Sequence, residues 1–186
     1  MSEIDSSHST DYNVGIDFGG PFLLKTSNLR KTPITKAYIV VFVCMVTKAV
    51  HIELVSGLST KHLIMTLKRF ISRRGNPSVI FSDTGTNFAG SCNKLKALYQ
   101  VFKNDKIHVA LQDEMSLNEI RWKFIPPRSP HWGGLWGSAI KSAKYYLKRL
   151  VGNAQFTFEE FSTVLCQIEA ILNSRPLSPL STNPSD

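Results

Sequence analysis

Ala37-Tyr38-Ile39-Val40-Val41-Phe42-Val43-Cys44-Met45-Val46 is followed, after Thr47 and Lys48, by Ala49-Val50-His51-Ile52-Glu53-Leu54-Val55. The first run is apolar without interruption, which suits a central strand covered on both faces. The second alternates Val50, Ile52 and Leu54 with His51 and Glu53, the pattern of a half-buried strand with its polar residues turned to solvent. Upstream, Val14 to Leu24 reads as a first strand whose continuation is bent by Gly19-Gly20-Pro21. Strands in such quick succession predict an antiparallel meander.

Helical periodicity takes over downstream. Ser59 can cap a helix that places Leu63, Leu67, Phe70 and Ile71 on one face. Arg73-Arg74-Gly75-Asn76-Pro77 supplies its stop signals. Ser78 to Ser82 is then a short strand delivering Asp83 at its carboxyl end, the usual place for chemistry in an open α/β sheet. Leu95, Leu98 and Phe102 mark another helix, and the polar loop from Asn104 to Glu119 is ambiguous. Ile120, Trp122 and Phe124 alternate as a last strand before Pro126-Pro127 ends it. Ile140, Ala143, Leu147 and Leu150 stripe the next helix. Thr157 to Glu160 is a capping box opening a final helix with Phe161, Leu165, Ile168 and Leu172 inward.

Composition narrows the class. A chain of 186 residues with 42% hydrophobic residues can bury one ample core. Its longest apolar run, Ala37 to Val46, is too short to span a bilayer. The N-terminal residues 1–13 form a polar lead-in, expected to be flexible, without the basic and apolar regions of a secretory signal. Cys44, Cys92 and Cys166 are odd in number and far apart, and read as reduced core thiols of an intracellular protein. A formal net charge of +8 favours polyanionic partners, although excess charge also serves solubility.

Three motifs occur in order. Gly15-Ile16-Asp17-Phe18-Gly19-Gly20-Pro21 comes first, then Phe81-Ser82-Asp83-Thr84-Gly85-Thr86-Asn87-Phe88. The third is Pro126-Pro127-Arg128-Ser129-Pro130-His131-Trp132-Gly133-Gly134-Leu135-Trp136-Gly137, opening a helix that carries Lys141, Lys144 and Lys148. Together they resemble the catalytic core of retroelement integrases of the BEL/Pao and Ty3/gypsy retrotransposon type, members of the DDE superfamily. The resemblance runs from Val14 to Asp186. Thr84 departs from it, since asparagine is more frequent there, and the family's preceding His and Cys zinc module has no counterpart. The resemblance implies an α/β, RNase H-like fold, a mixed five-stranded sheet flanked by helices, over residues 14–186. The element order βββαβαβαα agrees.

The resemblance also implies a chemistry. Two Mg²⁺ ions held by three acids activate the attacking oxygen and stabilise the leaving one in phosphoryl transfer. Asp17 and Asp83 match the first two acids, the catalytic and metal-binding candidates. Glycine stands at position 137, where the family has glutamate. Taken singly, Asp17 also fits a turn residue and Asp83 an Asx turn. Asp113, Glu114, Glu119, Glu159 and Glu160 are not one helical turn from Gly137, so none is placed to substitute. At most one weakly bound Mg²⁺ is expected. Lys141 and Lys144 stand four and seven residues past Gly137, where family lysines face DNA, and Lys148 extends that stripe. Such charges alone usually mean a solvated helix face, but the positions matching the family favour DNA contact. Arg73, Arg74, Arg121, Lys123 and Arg128 could widen the patch. His131, Trp132 and Trp136 fit turn packing better than ligation or stacking.

These residues lead to the expectation of an integrase core-like scaffold in the nucleus, without catalytic competence. Self-association as a homodimer, a protein partner and DNA would be its contacts. The rival is a retrotransposon integrase joining element DNA to target DNA, inactivated by a Glu-to-Gly change at 137. Glycine is roughly 1 kcal/mol worse than alanine inside a helix, and an engineer would choose Gln or Ala, which favours natural loss in a domesticated element.

Overall fold

A computed structural model describes residues 12–29, 31–83, 120–125, 138, 141–149 and 155–174, with backbone only at 60, 83, 124 and 125. The elements are β1 (Asn13–Lys25), β2 (Ile34–Cys44), β3 (Val50–Val55), α1 (Thr60–Arg74), β4 (Val79–Asp83), β5 (Arg121–Ile125), α2 (141–149) and α3 (Phe158–Asn173). The helix expected around Leu95, Leu98 and Phe102 lies outside the described residues, as do the loop to Glu119, Cys92, Ile140, Leu150 and the run from Pro126 to Gly137.

The strands form one sheet in the order β3-β2-β1-β4-β5. β1, β2 and β3 are the expected antiparallel meander, while β4 pairs in parallel with both β1 and β5. Pleat parity then sorts the core. On one face Ile39, Val41, Val43, Val79 and Phe81 meet Ala143 and Leu147 of α2 and Phe161, Leu165, Ile168 and Leu172 of α3. On the other, Val14, Ile16, Phe18, Val40 and Phe42 meet Leu63, Leu67 and Phe70 of α1. An uninterrupted apolar strand is therefore needed at β2, because both of its faces are covered.

β1 runs through Gly19-Gly20-Pro21 with a register shift between Gly19 and Phe22. Gly20 has φ of 121°, which side chains rarely adopt, and a Cβ on Gly19 would meet Ile39 Cγ1 at 2.8 Å. α1 begins after Ser59, whose hydroxyl bonds His62 Nδ1 at 2.6 Å instead of capping a backbone amide. Gly75 ends that helix with φ of 85°. α3 opens on the expected capping box: Thr157 Oγ1 accepts from the Glu160 amide at 3.3 Å, and Glu160 Oε2 accepts from the Thr157 amide at 2.8 Å.

Two expectations are corrected. β3 is buried on both faces, so His51 and Glu53 do not face solvent. The reason is that α1 covers them and provides counter-charges. Glu53 takes Arg69 Nε at 2.6 Å, Arg73 Nη1 at 3.0 Å and His51 Nε2 at 2.9 Å, while Glu169 of α3 takes Arg74 and lies 3.3 Å from His51 Nδ1. Carboxylates in such a place must be paired, and these are. The second correction concerns the thiols: Cys166 is exposed on α3 and Cys44 half-buried, so neither is the core thiol that its apolar neighbours suggested.

Candidate functional site

Asp17 sits on the middle strand of the sheet, abreast of Val41 of β2. On its other side the parallel register pairs Ile16 with Ser82, so Asp83, closing β4, stands one step further on and level with Asp17. The fold thus brings the two sequence-predicted acids onto neighbouring strands although 65 residues (83 − 17 − 1) separate them in the chain. Gly137 lies outside the described residues.

Asp17 has the parity of Gly15 and Gly19, opposite to Ile16 and Phe18 of the α1 layer, and so faces the layer that holds α2. Its carboxylate is 15% exposed. One oxygen, Oδ1, accepts the Phe18 amide at 2.7 Å; the other, Oδ2, accepts Lys144 Nζ at 3.2 Å. Lys144 reaches it by lying over Gly19: a Cβ built there would be 3.6 Å from Lys144 Cε. The need for glycine there comes from Ile39, whose Cγ1 would lie 2.8 Å from such a Cβ, and not from the lysine.

α2 has the sidedness expected of it. Ala143 and Leu147 are fully buried, while Lys141, Lys144 and Lys148 are exposed. The three lysines are engaged differently within the chain. Lys144 turns back onto Asp17, whereas among the described residues Lys141 and Lys148 enter no ion pair. Beside them Arg149 donates to the Tyr145 hydroxyl at 2.5 Å and sits over its ring at 5.4 Å, a pair that reasoning from charge had missed. Its signal was the i, i+4 spacing of Tyr145 and Arg149.

Of the basic residues expected to widen the patch, Arg73 and Arg74 pair with Glu53 and Glu169. Arg121 and Lys123 are exposed on β5, and Arg128, Ser129, His131, Trp132 and Trp136 lie outside the described residues. Of the acids considered as substitutes for the one missing at 137, Glu160 is consumed by the capping box and Glu159 is exposed at the start of α3. Asp113, Glu114 and Glu119 lie outside the described residues.

A two-metal site needs oxygens left free for the ions. Asp17 gives one oxygen to a backbone amide and the other to an ammonium group, and no group of three or more His, Cys, Asp or Glu gathers among the described residues.

A five-stranded mixed sheet, with a meander, two parallel additions and helices on both faces, defines an RNase H-like fold of the integrase-core kind. The chain is similar to the catalytic core domain of BIV integrase, with a TM-score of 0.57 and 16% identity over 88% of this chain and 84% of that one. It is also similar to a chain of the simian T-cell lymphotropic virus intasome in complex with PP2A regulatory subunit B56 gamma. That match has a TM-score of 0.54 and 17% identity over 94% of this chain, which spans 59% of that one. No protein-family model and no curated protein sequence matches the chain. No helix among the described residues is long and apolar enough to cross a membrane.

Proposed function

We propose that the chain is a retroelement-derived integrase core that no longer joins DNA and persists as a scaffold. The observation that carries this reading is glycine at position 137. It leaves Asp17 and Asp83 as two acids of a three-acid set. Losing one metal's ligand removes transition-state stabilisation worth roughly 10³-fold or more in rate.

The BEL/Pao or Ty3/gypsy origin rests on the three motifs, and the scaffold role on what the fold retains. A core with intact packing and an incomplete acid set can still present surfaces. Self-association as a homodimer, a protein partner and DNA are the contacts we assign to it. Among proteins of similar fold, an intasome solved in complex with a PP2A regulatory subunit gives a precedent for protein partners. Light scattering at high micromolar concentration should show a dimer; a monomer there would remove self-association from the proposal.

The deciding experiment incubates the purified chain with short DNA ends and a target duplex in Mg²⁺ or Mn²⁺. No end processing and no joined product should form. Joined product above background that disappears in Asp83→Ala would overturn the reading. The companion variant Gly137→Glu should regain activity if only the third acid is missing.

A further inference from the structure

We propose that Lys144, though partly exposed, is the resident counterion of Asp17 and neutralises that carboxylate in place of a divalent ion. The inference deepens the reading of an inactive core and rests on it.

Three observations carry it. Asp17 is a largely buried carboxylate on the middle strand, so its charge needs a partner close at hand. The Lys144 ammonium supplies one at 3.2 Å, on the oxygen that the Phe18 amide does not use. The lysine stem passes over β1 at Gly19, where Lys144 Cε lies 3.6 Å from the Cβ position, in ordinary van der Waals contact. Ala143 and Leu147, only 0% and 1% exposed, fix the rotation of α2, so Lys144 is directed over β1 by the helix itself.

An ammonium and a divalent ion compete for the same oxygen. Lysine is a compact point charge with three donors, able to satisfy a carboxylate without any further ligand. Mg²⁺ or Mn²⁺ would need the lysine to leave and would then face its positive charge nearby. With the acid at 137 absent, fewer negative charges favour that exchange. Asp17 is thereby neutralised by a side chain of the same chain.

The test measures Mn²⁺ binding directly, by the loss of the free-ion paramagnetic resonance signal, on the whole chain and three variants. Lys144→Gln removes the charge and should bind Mn²⁺ roughly tenfold more tightly than the native chain. Lys144→Arg should behave as the native chain, and Asp17→Asn combined with Lys144→Gln should lose the gain. Equal Mn²⁺ affinity in the native chain and Lys144→Gln, whether both bind or neither does, would overturn the proposal. So would a gain that survives Asp17→Asn. Circular dichroism melts establish that each variant is folded, with Lys144→Met as the second neutral variant should the glutamine form not fold. DNA joining by the native chain would defeat the proposed function while leaving this result intact, and unchanged Mn²⁺ affinity in an inactive chain would defeat this inference alone.

Discussion

The side chain of Asn173 closes both outward hydrogen-bonding groups of Val50, accepting its N–H at 2.8 Å and donating to its carbonyl at 2.7 Å. One helical turn earlier, Glu169 Oε2 accepts the Ile52 N–H at 2.8 Å. The match is geometric: four helical residues rise about 6 Å and two strand residues about 6.7 Å, so an i, i+4 pair on α3 can serve alternate amides of β3. β3 is a terminal strand of the sheet, and an open terminal strand invites pairing with another chain. α3 blunts it with side chains.

Replacing Asn173 by alanine should therefore leave the Val50 N–H and carbonyl without their partner. The expected loss is about 1–3 kcal/mol of folding stability, read from urea unfolding. A greater tendency to aggregate should accompany it, visible as turbidity on heating. Unchanged stability in Asn173→Ala would mean that water serves the edge equally well.

The capping box gives a more local prediction. Thr157→Ala removes the acceptor for the Glu160 amide and should cost about 1 kcal/mol, with Thr157→Ser close to native. Because Lys25 of β1 donates its amide to the Phe156 carbonyl at 2.8 Å just before the cap, hydrogen exchange should quicken at the end of β1 as well as in the first turn of α3.

The His51, Glu53 and Glu169 cluster sets a pH dependence. Burial disfavours charge on His51, but hydrogen bonds from its ring to Glu169 and Glu53 outweigh this and raise its pKa above 6.5. Burial likewise raises Glu53 and Glu169, yet hydrogen bonds with His51, then with Arg69 for Glu53 and the Ile52 amide for Glu169, bring both below 4.5. A raised histidine stabilises fully below its unfolded value of 6.5 and loses that contribution as pH climbs through the folded value. Lowered glutamates stabilise above 4.5 and lose it as pH falls through their folded values. The melting temperature should thus be highest between those two limits and decline on both sides, with the alkaline decline flattened in His51→Asn. A native profile that rises steadily from pH 6 to 9 would contradict the paired imidazolium.

How much of this was legible beforehand depended on distance along the chain. The α3 core residues Phe161, Leu165, Ile168 and Leu172, and the Thr157–Glu160 box, were read correctly because periodicity and capping are local. The fully covered β2 was equally plain from its unbroken apolar run. The alternation in β3 misled, since a polar residue at every second position looks the same whether it meets water or a guanidinium brought by α1. Lys144 and Asp17 lie 127 positions apart, and only the packing of α2 over β1 joins them. No pattern in the lysine spacing distinguished the one that turns inward from its neighbours.

The remaining cations of α2 decide whether DNA is a partner. Lys141 and Lys148 are exposed, and Arg149 with Tyr145 extends the same helix surface. If they grip phosphate, affinity for duplex DNA should be indifferent to sequence and should fall steeply as salt rises. Lys141→Glu combined with Lys148→Glu removes two such contacts, so the slope of log affinity against log salt should shrink by about 2, roughly 0.9 per phosphate lost. Folding stability should change by no more than about 0.5 kcal/mol, because both side chains point away from the Ala143 and Leu147 face. Lys144→Gln should have a smaller effect on the slope than either, since its ammonium is already engaged by Asp17. The measurement is fluorescence anisotropy of a labelled duplex across a salt series. No salt-sensitive binding by the native chain at low ionic strength would make α2 a solvated face, and the scaffold would then act through protein contacts.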